Sequence, residues 1–174
     1  MSKRFIISSV LIVLIFLPLM LYGGNNFDFT LMETEANNGI KIDNTTLLLS
    51  SGDKKTISSL NNKEYLIINL WASWCLPCLE EIPELNTLSN NTNINILGLL
   101  VNDTKENALE IIEDFDITYP VVLNRKYVDE VLDQVTWSGI PTSIIINKNN
   151  EIISTIYGKV EEGLILKLIN SLSD

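Results

Sequence analysis

The sequence predicts an α/β domain, and three observations carry that prediction. Tyr65–Trp71 and Ile94–Val101 are nearly continuous apolar runs, the pattern of strands buried on both faces of a sheet. Between and after them, apolar residues return at helical spacing, as in Leu79, Ile82, Leu85 and Leu88. Two further short apolar runs then flank Asn147-Lys148-Asn149-Asn150, a hairpin signal, and one more amphipathic stretch closes the chain. Strands alternating with helices imply a central mixed sheet flanked by helices.

Taken in chain order, the stretch from Asn25 to about Asn44 is polar and Asn-rich and reads as a linker or a loose leading segment. Thr46–Leu49 and Thr56–Leu60 are short extended candidates around a turn at Ser51-Gly52-Asp53. Only Asn69 interrupts the apolar run of the Tyr65–Trp71 strand. A helix is predicted from Pro77 to about Leu88; proline suits its first turn because that turn leaves an N–H unpaired in any case. Ile94–Val101 follows as the second buried strand. Thr104–Phe115 carries Ala108, Leu109, Ile111, Ile112 and Phe115 on one side, with Asp103 or Thr104 as the N-cap. Tyr119–Leu123 is a short strand and Tyr127–Val135 a short helix. Ser143–Ile146 and Glu151–Tyr157 make the hairpin, and Leu164, Ile165, Leu168, Ile169 and Leu172 line the last helix.

The amino terminus is of another kind. Lys3 and Arg4 precede an apolar run, Phe5 to Leu21, broken only by Ser8, Ser9 and Pro18. As a helix this run reaches about 26 Å at ~1.5 Å per residue, close to a bilayer core of roughly 30 Å. A cleaved signal peptide would need small residues ahead of the cut. The candidates at Gly23 and Gly24 have Leu21 and Tyr22 two positions earlier, which favours a retained anchor. The positive-inside rule keeps Lys3 and Arg4 in the cytoplasm and exports the rest, to the periplasm or an equivalent extracytoplasmic space. The expected organisation is an anchor at 1–24, a linker or leading segment at 25–45, and a folded domain at 46–174.

Composition removes several classes of chemistry. Lys plus Arg is 12 against 22 Asp plus Glu, a formal charge of −10, which repels nucleic acid. Histidine is absent, so Ser-His-Asp and Cys-His nucleophile arrangements and mixed Cys/His zinc sites are excluded. With only 2 cysteines, Cys75 and Cys78, there is neither a disulfide framework nor a four-thiolate metal site within one chain. No cofactor is implied.

What remains is one cluster, Trp71-Ala72-Ser73-Trp74-Cys75-Leu76-Pro77-Cys78, which follows a buried strand and opens a helix. Two residues between thiols in a first helical turn let the sulfurs reach bonding distance. Cys75 falls near the N-cap, where free N–H groups and the positive end of the helix dipole stabilise a thiolate. Cys78, one turn in, is expected to be more buried. Cys75 is therefore the candidate nucleophile and Cys78 the resolving thiol of the mixed disulfide.

At these residues the chain resembles the thioredoxin superfamily, and within it the membrane-anchored, exported TlpA/ResA-like branch. The resemblance runs from about Thr46 to the carboxyl end. It rests on Asn69–Cys78, on Glu81-Ile82-Pro83-Glu84-Leu85, and on Gly139-Ile140-Pro141-Thr142. It implies a thioredoxin-like fold, with Thr104–Val135 as the helix and strand that this branch inserts. Pro141 then matches the family's cis-proline, so that Ile140 and Pro141 would offer backbone to an extended substrate beside Trp74 and Pro77. Pro83 matches a helix-kinking proline.

Thioredoxins proper carry a buried Asp where this chain has Asn69, and Asn cannot take a proton. Glu81, three residues after Cys78 on the helix surface, is the candidate acceptor; a solvated carboxylate favoured by the helix amino end is the alternative. By resemblance Trp74 forms an apolar collar at the nucleophile, whereas Trp71 suits the core. Trp137 either lines a substrate groove or packs under its loop.

Three functions are open on this evidence. The first is a reductase of disulfides in exported proteins, fed by a transmembrane electron-donor protein, with apocytochrome c as the substrate the branch suggests. The second is the same chemistry run as an oxidase or isomerase. The third is a non-enzymatic metal-binding or structural module, disfavoured because copper-delivering relatives use a wider Cys spacing and a His.

Overall fold

The structure, a computed structural model, describes residues 32–33, 37–91 and 93–172. The apolar run at Phe5–Leu21 lies outside the described residues, as does most of the 1–24 and 25–45 organisation. Among the described residues no helix is long and apolar enough to cross a membrane.

In chain order the elements are β1 (Met32–Glu33), β2 (Thr46–Leu48), β3 (Lys54–Thr56), α1 (Ile57–Leu60), β4 (Tyr65–Trp71), α2 (Leu76–Ser89), β5 (Ile94–Leu100), α3 (Lys105–Asp114), β6 (Val121–Val122), α4 (Arg125–Leu132), β7 (Thr142–Asn147), β8 (Ile152–Tyr157) and α5 (Glu162–Leu172). Six strands form one mixed sheet in the order β1-β8-β7-β4-β5-β6, while β2 and β3 pair separately. Strand β4 is central: it runs parallel to β5 and antiparallel to β7. Its seven residues are all buried, and their alternation divides the core. Tyr65, Ile67 and Trp71 face one layer with Leu85 and Leu88 of α2 and Ile165 and Ile169 of α5. Leu66, Ile68 and Leu70 face the other with Ile57, Val128 and Val131. Asn69 shares the parity of the first set, so it points toward α2.

The hairpin turn is built by one side chain. Asn147 Oδ1 accepts from the N–H groups of Asn149 (2.8 Å) and Glu151 (3.1 Å), and Asn150 takes the left-handed φ of 62° that asparagine tolerates.

The structure differs from the expected elements in several places. Thr56–Leu60 is not extended: beyond Thr56 it is the helical turn α1, because Thr56 Oγ1 accepts from the Ser59 N–H (3.2 Å) and Ser59 Oγ from the Thr56 N–H (2.9 Å). This reciprocal capping outweighs the weak extended pattern. Strand pairing near Tyr119–Leu123 is confined to Val121–Val122, where Pro120 just before them has no N–H to contribute. Helix α4 begins at Arg125 rather than Tyr127, since Asn124 caps it by accepting from the Lys126 N–H (3.0 Å).

The polar stretch ahead of Thr46 is built into the sheet where it is described. β1 pairs with β8 at Tyr157 and Ile156. Backbone bonds then tie Gly39 and Ile40 to Ile152 and Ile42 to Asn150, each at 2.8 Å, and Ile42 is fully buried. Asn37, also fully buried, donates Nδ2 to the Thr136 carbonyl (2.7 Å) and accepts from the Thr136 N–H (2.8 Å) on Oδ1. This stretch looked loose because its attachment is made by backbone groups and one amide rather than by an apolar pattern.

Candidate active site

Helix α2 starts at the carboxyl end of the central strand, after the short loop Ala72–Cys75. Cys75 is its N-cap, with extended φ and ψ of −89° and 94°, and Pro77 lies in the first turn. Cys75 and Cys78 are joined in a disulfide with their Cα atoms 5.2 Å apart. Both are buried, Cys78 (1% exposed) slightly more than Cys75 (5%). On either side of Cys75 the chain turns outward: Trp74 is 63% and Leu76 65% exposed, large apolar groups in open solvent beside a buried disulfide. Leu76 was not singled out in the sequence, although its place between the cysteines was the available signal.

Ile140–Pro141 is a cis peptide. Pro141 is buried, its carbonyl accepting from the Gly158 N–H (2.9 Å), and Ile140 packs against the cluster that holds both cysteines. Trp137 lies on the approach to this loop. It packs against the second core layer and it lines a cleft of about 520 Å³ together with Asn102, Asp103, Arg125 and Leu132.

One turn after Cys78, helix α2 contributes to a buried polar network. Glu81 has no exposed surface. Its Oε1 accepts from Asn69 Nδ2 (2.7 Å) and its Oε2 from the Val160 N–H (2.9 Å). Asn69 also donates to Ser143 Oγ (3.2 Å). Burial pushes the Glu81 carboxyl up from 4.5 to about 7, against the Val160 and Asn69 hydrogen bonds and the Lys159 charge. A solvated carboxylate therefore does not describe it. Burial, with the Glu81 charge adding to it, also raises the Tyr119 hydroxyl. The neighbouring carboxylates are engaged elsewhere: Glu80 pairs with Lys159 (3.2 Å) and Glu84 accepts from the Glu162 N–H (3.2 Å). Trp71 is core, as expected, with its Nε1 buried and unpartnered over Gly98.

Outside the disulfide lies a contact that sequence reasoning missed. Ser73 donates its N–H to Asp103 Oδ2 (2.7 Å), and Trp74 donates Nε1 to the Asn102 carbonyl (3.2 Å). Partial burial pushes the Asp103 carboxyl up, but hydrogen bonds from Ser73, Thr104 and Asn107 outweigh it and hold it below the ordinary value.

The described family called redoxin matches residues 36–168. The chain is 32% identical over 96 residues to the thiol-disulfide oxidoreductase ResA of Geobacillus kaustophilus, an alignment covering 53% of this chain and 54% of that protein. It thus spans about half the length of that relative. It is 26% identical to the ResA of Bacillus subtilis over 70% of this chain and 68% of the other. Among solved structures, a DsbF homologue from Corynebacterium diphtheriae superimposes with a TM-score of 0.67 at 22% identity, over 83% of this chain and 95% of that one. Likeness at that identity speaks for the thioredoxin-like fold. With the family match spanning most of the domain, the chain belongs to the redoxin family, as a TlpA/ResA-like member of the thioredoxin superfamily.

Proposed function

We propose that this chain is an extracytoplasmic thiol-disulfide oxidoreductase, held at the membrane by its N-terminal apolar segment, that reduces disulfides in exported proteins. The observation that carries the reading is the Cys75–Cys78 pair at the start of α2, buried but framed by exposed Trp74 and Leu76. Relatives named ResA support it.

In the reduced protein the Cys75 thiolate, favoured by the free N–H groups of the first turn of α2, attacks a substrate disulfide. One substrate sulfur leaves as a thiolate and the other forms a mixed disulfide with Cys75. Cys78 gives up its proton and attacks Cys75 Sγ. The second substrate thiol is released, and the pair returns to the oxidised state. Two electrons pass to the substrate, and a transmembrane donor protein restores the dithiol. Glu81, three residues beyond Cys78 and with a carboxyl near neutrality, receives the Cys78 proton. Trp74, Pro77, Ile140 and Pro141 form the surface against which the substrate strand lies, and apocytochrome c is a substrate of the right class. Run in reverse, the same steps oxidise a dithiol; a measured reduction potential separates the two directions.

Trapping tests the reading. A Cys78→Ser variant in its native membrane is expected to accumulate mixed disulfides on Cys75, and a Cys75→Ser variant to accumulate none. Equal trapping through Cys78 overturns the assignment.

A further inference from the structure

We propose that Asp103 is a positioning residue of the redox loop: with Asn102 it fastens Ser73 and Trp74 to the start of α3 and so sets how a protein disulfide approaches Cys75. The proposal rests on the oxidoreductase reading and adds to it a residue outside the C-x-x-C segment.

The two oxygens of the Asp103 carboxylate serve two different elements. Oδ2 accepts from the Ser73 N–H at 2.7 Å, across 30 residues of sequence. Oδ1 accepts from the Thr104 N–H at 2.7 Å and from Asn107 Nδ2 at 3.1 Å. Capping α3 does not account for this, because Thr104 already caps that helix by accepting from the Asn107 N–H (3.2 Å). The oxygen directed at Ser73 is thus in excess of what α3 needs. As a carboxylate it makes charge-assisted bonds, the stronger kind.

Asn102 completes the arrangement. It adopts a left-handed φ of 52°, which turns its carbonyl to accept from the indole of Trp74. Trp74 is 63% exposed, so few packing contacts restrain it, and this hydrogen bond supplies an orientation that packing does not. Two successive residues of the redox loop, immediately before Cys75, are therefore held by two successive residues of the short loop between β5 and α3. A substrate that covers Trp74 while presenting a sulfur to Cys75 meets a pre-set surface, which lowers the ordering cost of reaching an in-line geometry.

The test uses the full chain and compares a protein disulfide, insulin, with a small aromatic disulfide that needs no docking surface. Asp103→Ala is expected to lower kcat/KM for insulin about tenfold. Its rate with the small disulfide and its melting temperature should change far less. Asp103→Asn, which keeps one acceptor oxygen and secures the test if the alanine variant folds poorly, should fall between. The Asp103→Ala loss should shrink when Trp74 is already Phe, since the two act through one contact set. Equal insulin kinetics in wild type and both variants overturns the proposal. So does a loss shared equally by both disulfides and the melting temperature. A wild-type chain that leaves insulin intact, or a Cys75→Ser chain that reduces it, overturns the oxidoreductase reading itself, a different and recognisable failure.

Discussion

Replacing Glu81 by Gln should change how the stability of the oxidised protein depends on pH. Glu81 is wholly buried, and its carboxyl ionises near 7 in the folded chain against 4.5 when exposed. Between those two values the folded protein holds a proton that the unfolded chain has released, so stability falls as pH rises through this window. Below about 4.5 both states are protonated and there is no cost; above about 7 both are ionised and the cost is complete. At about 1.4 kcal/mol per pH unit the full effect is about 3 kcal/mol. Urea unfolding at steps from about pH 4 to about pH 8 measures it, given an unchanged m-value. The Gln side chain removes the titration while retaining an oxygen for Asn69 or Val160. Any constant offset from altered hydrogen bonding drops out of the difference curve. Wild type should lose about 3 kcal/mol relative to Glu81→Gln across the window. Parallel curves, or a wild type that gains stability with rising pH relative to the variant, would refute a buried carboxyl that ionises near neutrality.

Three other outcomes are expected. Gly98→Ala should cost ~1–3 kcal/mol in equilibrium unfolding, because the added Cβ would sit 3.1 Å from Trp71 Nε1 and 3.4 Å from Tyr119 and Val121 side-chain atoms; unchanged stability would contradict that packing. Lys63 Nζ donates to the carbonyls of Ser89 (3.3 Å), Asn91 (2.6 Å) and Ile94 (2.7 Å). Lys63→Met keeps most of the stem and should lose ~1–3 kcal/mol, read by the same unfolding assay. Full-length protein should sediment with membranes, resist carbonate extraction and react with thiol reagents from outside; a mature chain starting at Gly24 or Asn25 would show cleavage instead.

Sequence alone carries far where the cause is local or repeated. Tyr65–Trp71 is both the expected and the observed strand, because burial on two faces leaves an unbroken apolar signature. The thiol pair was equally legible: its spacing, the strand before it and the proline inside it are all contiguous. Legibility ends where one residue's role is set by a distant partner. Spacing to Cys78 makes Glu81 a candidate acceptor, but whether it is buried or solvated depends on Asn69 and Val160, which close over it. Asp103 was visible as a helix cap, but its bond to Ser73 spans 30 positions and leaves no trace in composition. Thr56–Leu60 departs from its extended pattern for a local reason, a capping box built on Ser59 where Glu or Gln is the familiar signal.

The amide of Asn37 behaves like a single residue of β-strand laid against Thr136, giving and taking one hydrogen bond as a peptide unit would. Two residues upstream of Thr136, Gln134 Oε1 accepts from the Asp43 N–H (2.7 Å), a second brace from the same leading stretch. Both braces grip the chain just before it reaches Gly139, Ile140 and Pro141. By these contacts the folded part of the chain reaches back at least to Asn37, ahead of Thr46. A recombinant piece cut at Thr46 would keep its thiols, yet it would lose two fastenings of the loop that is proposed to carry the substrate. Under the proposed function, activity measured on such a piece is expected to fall below that of the full chain through loop slack rather than thiol chemistry.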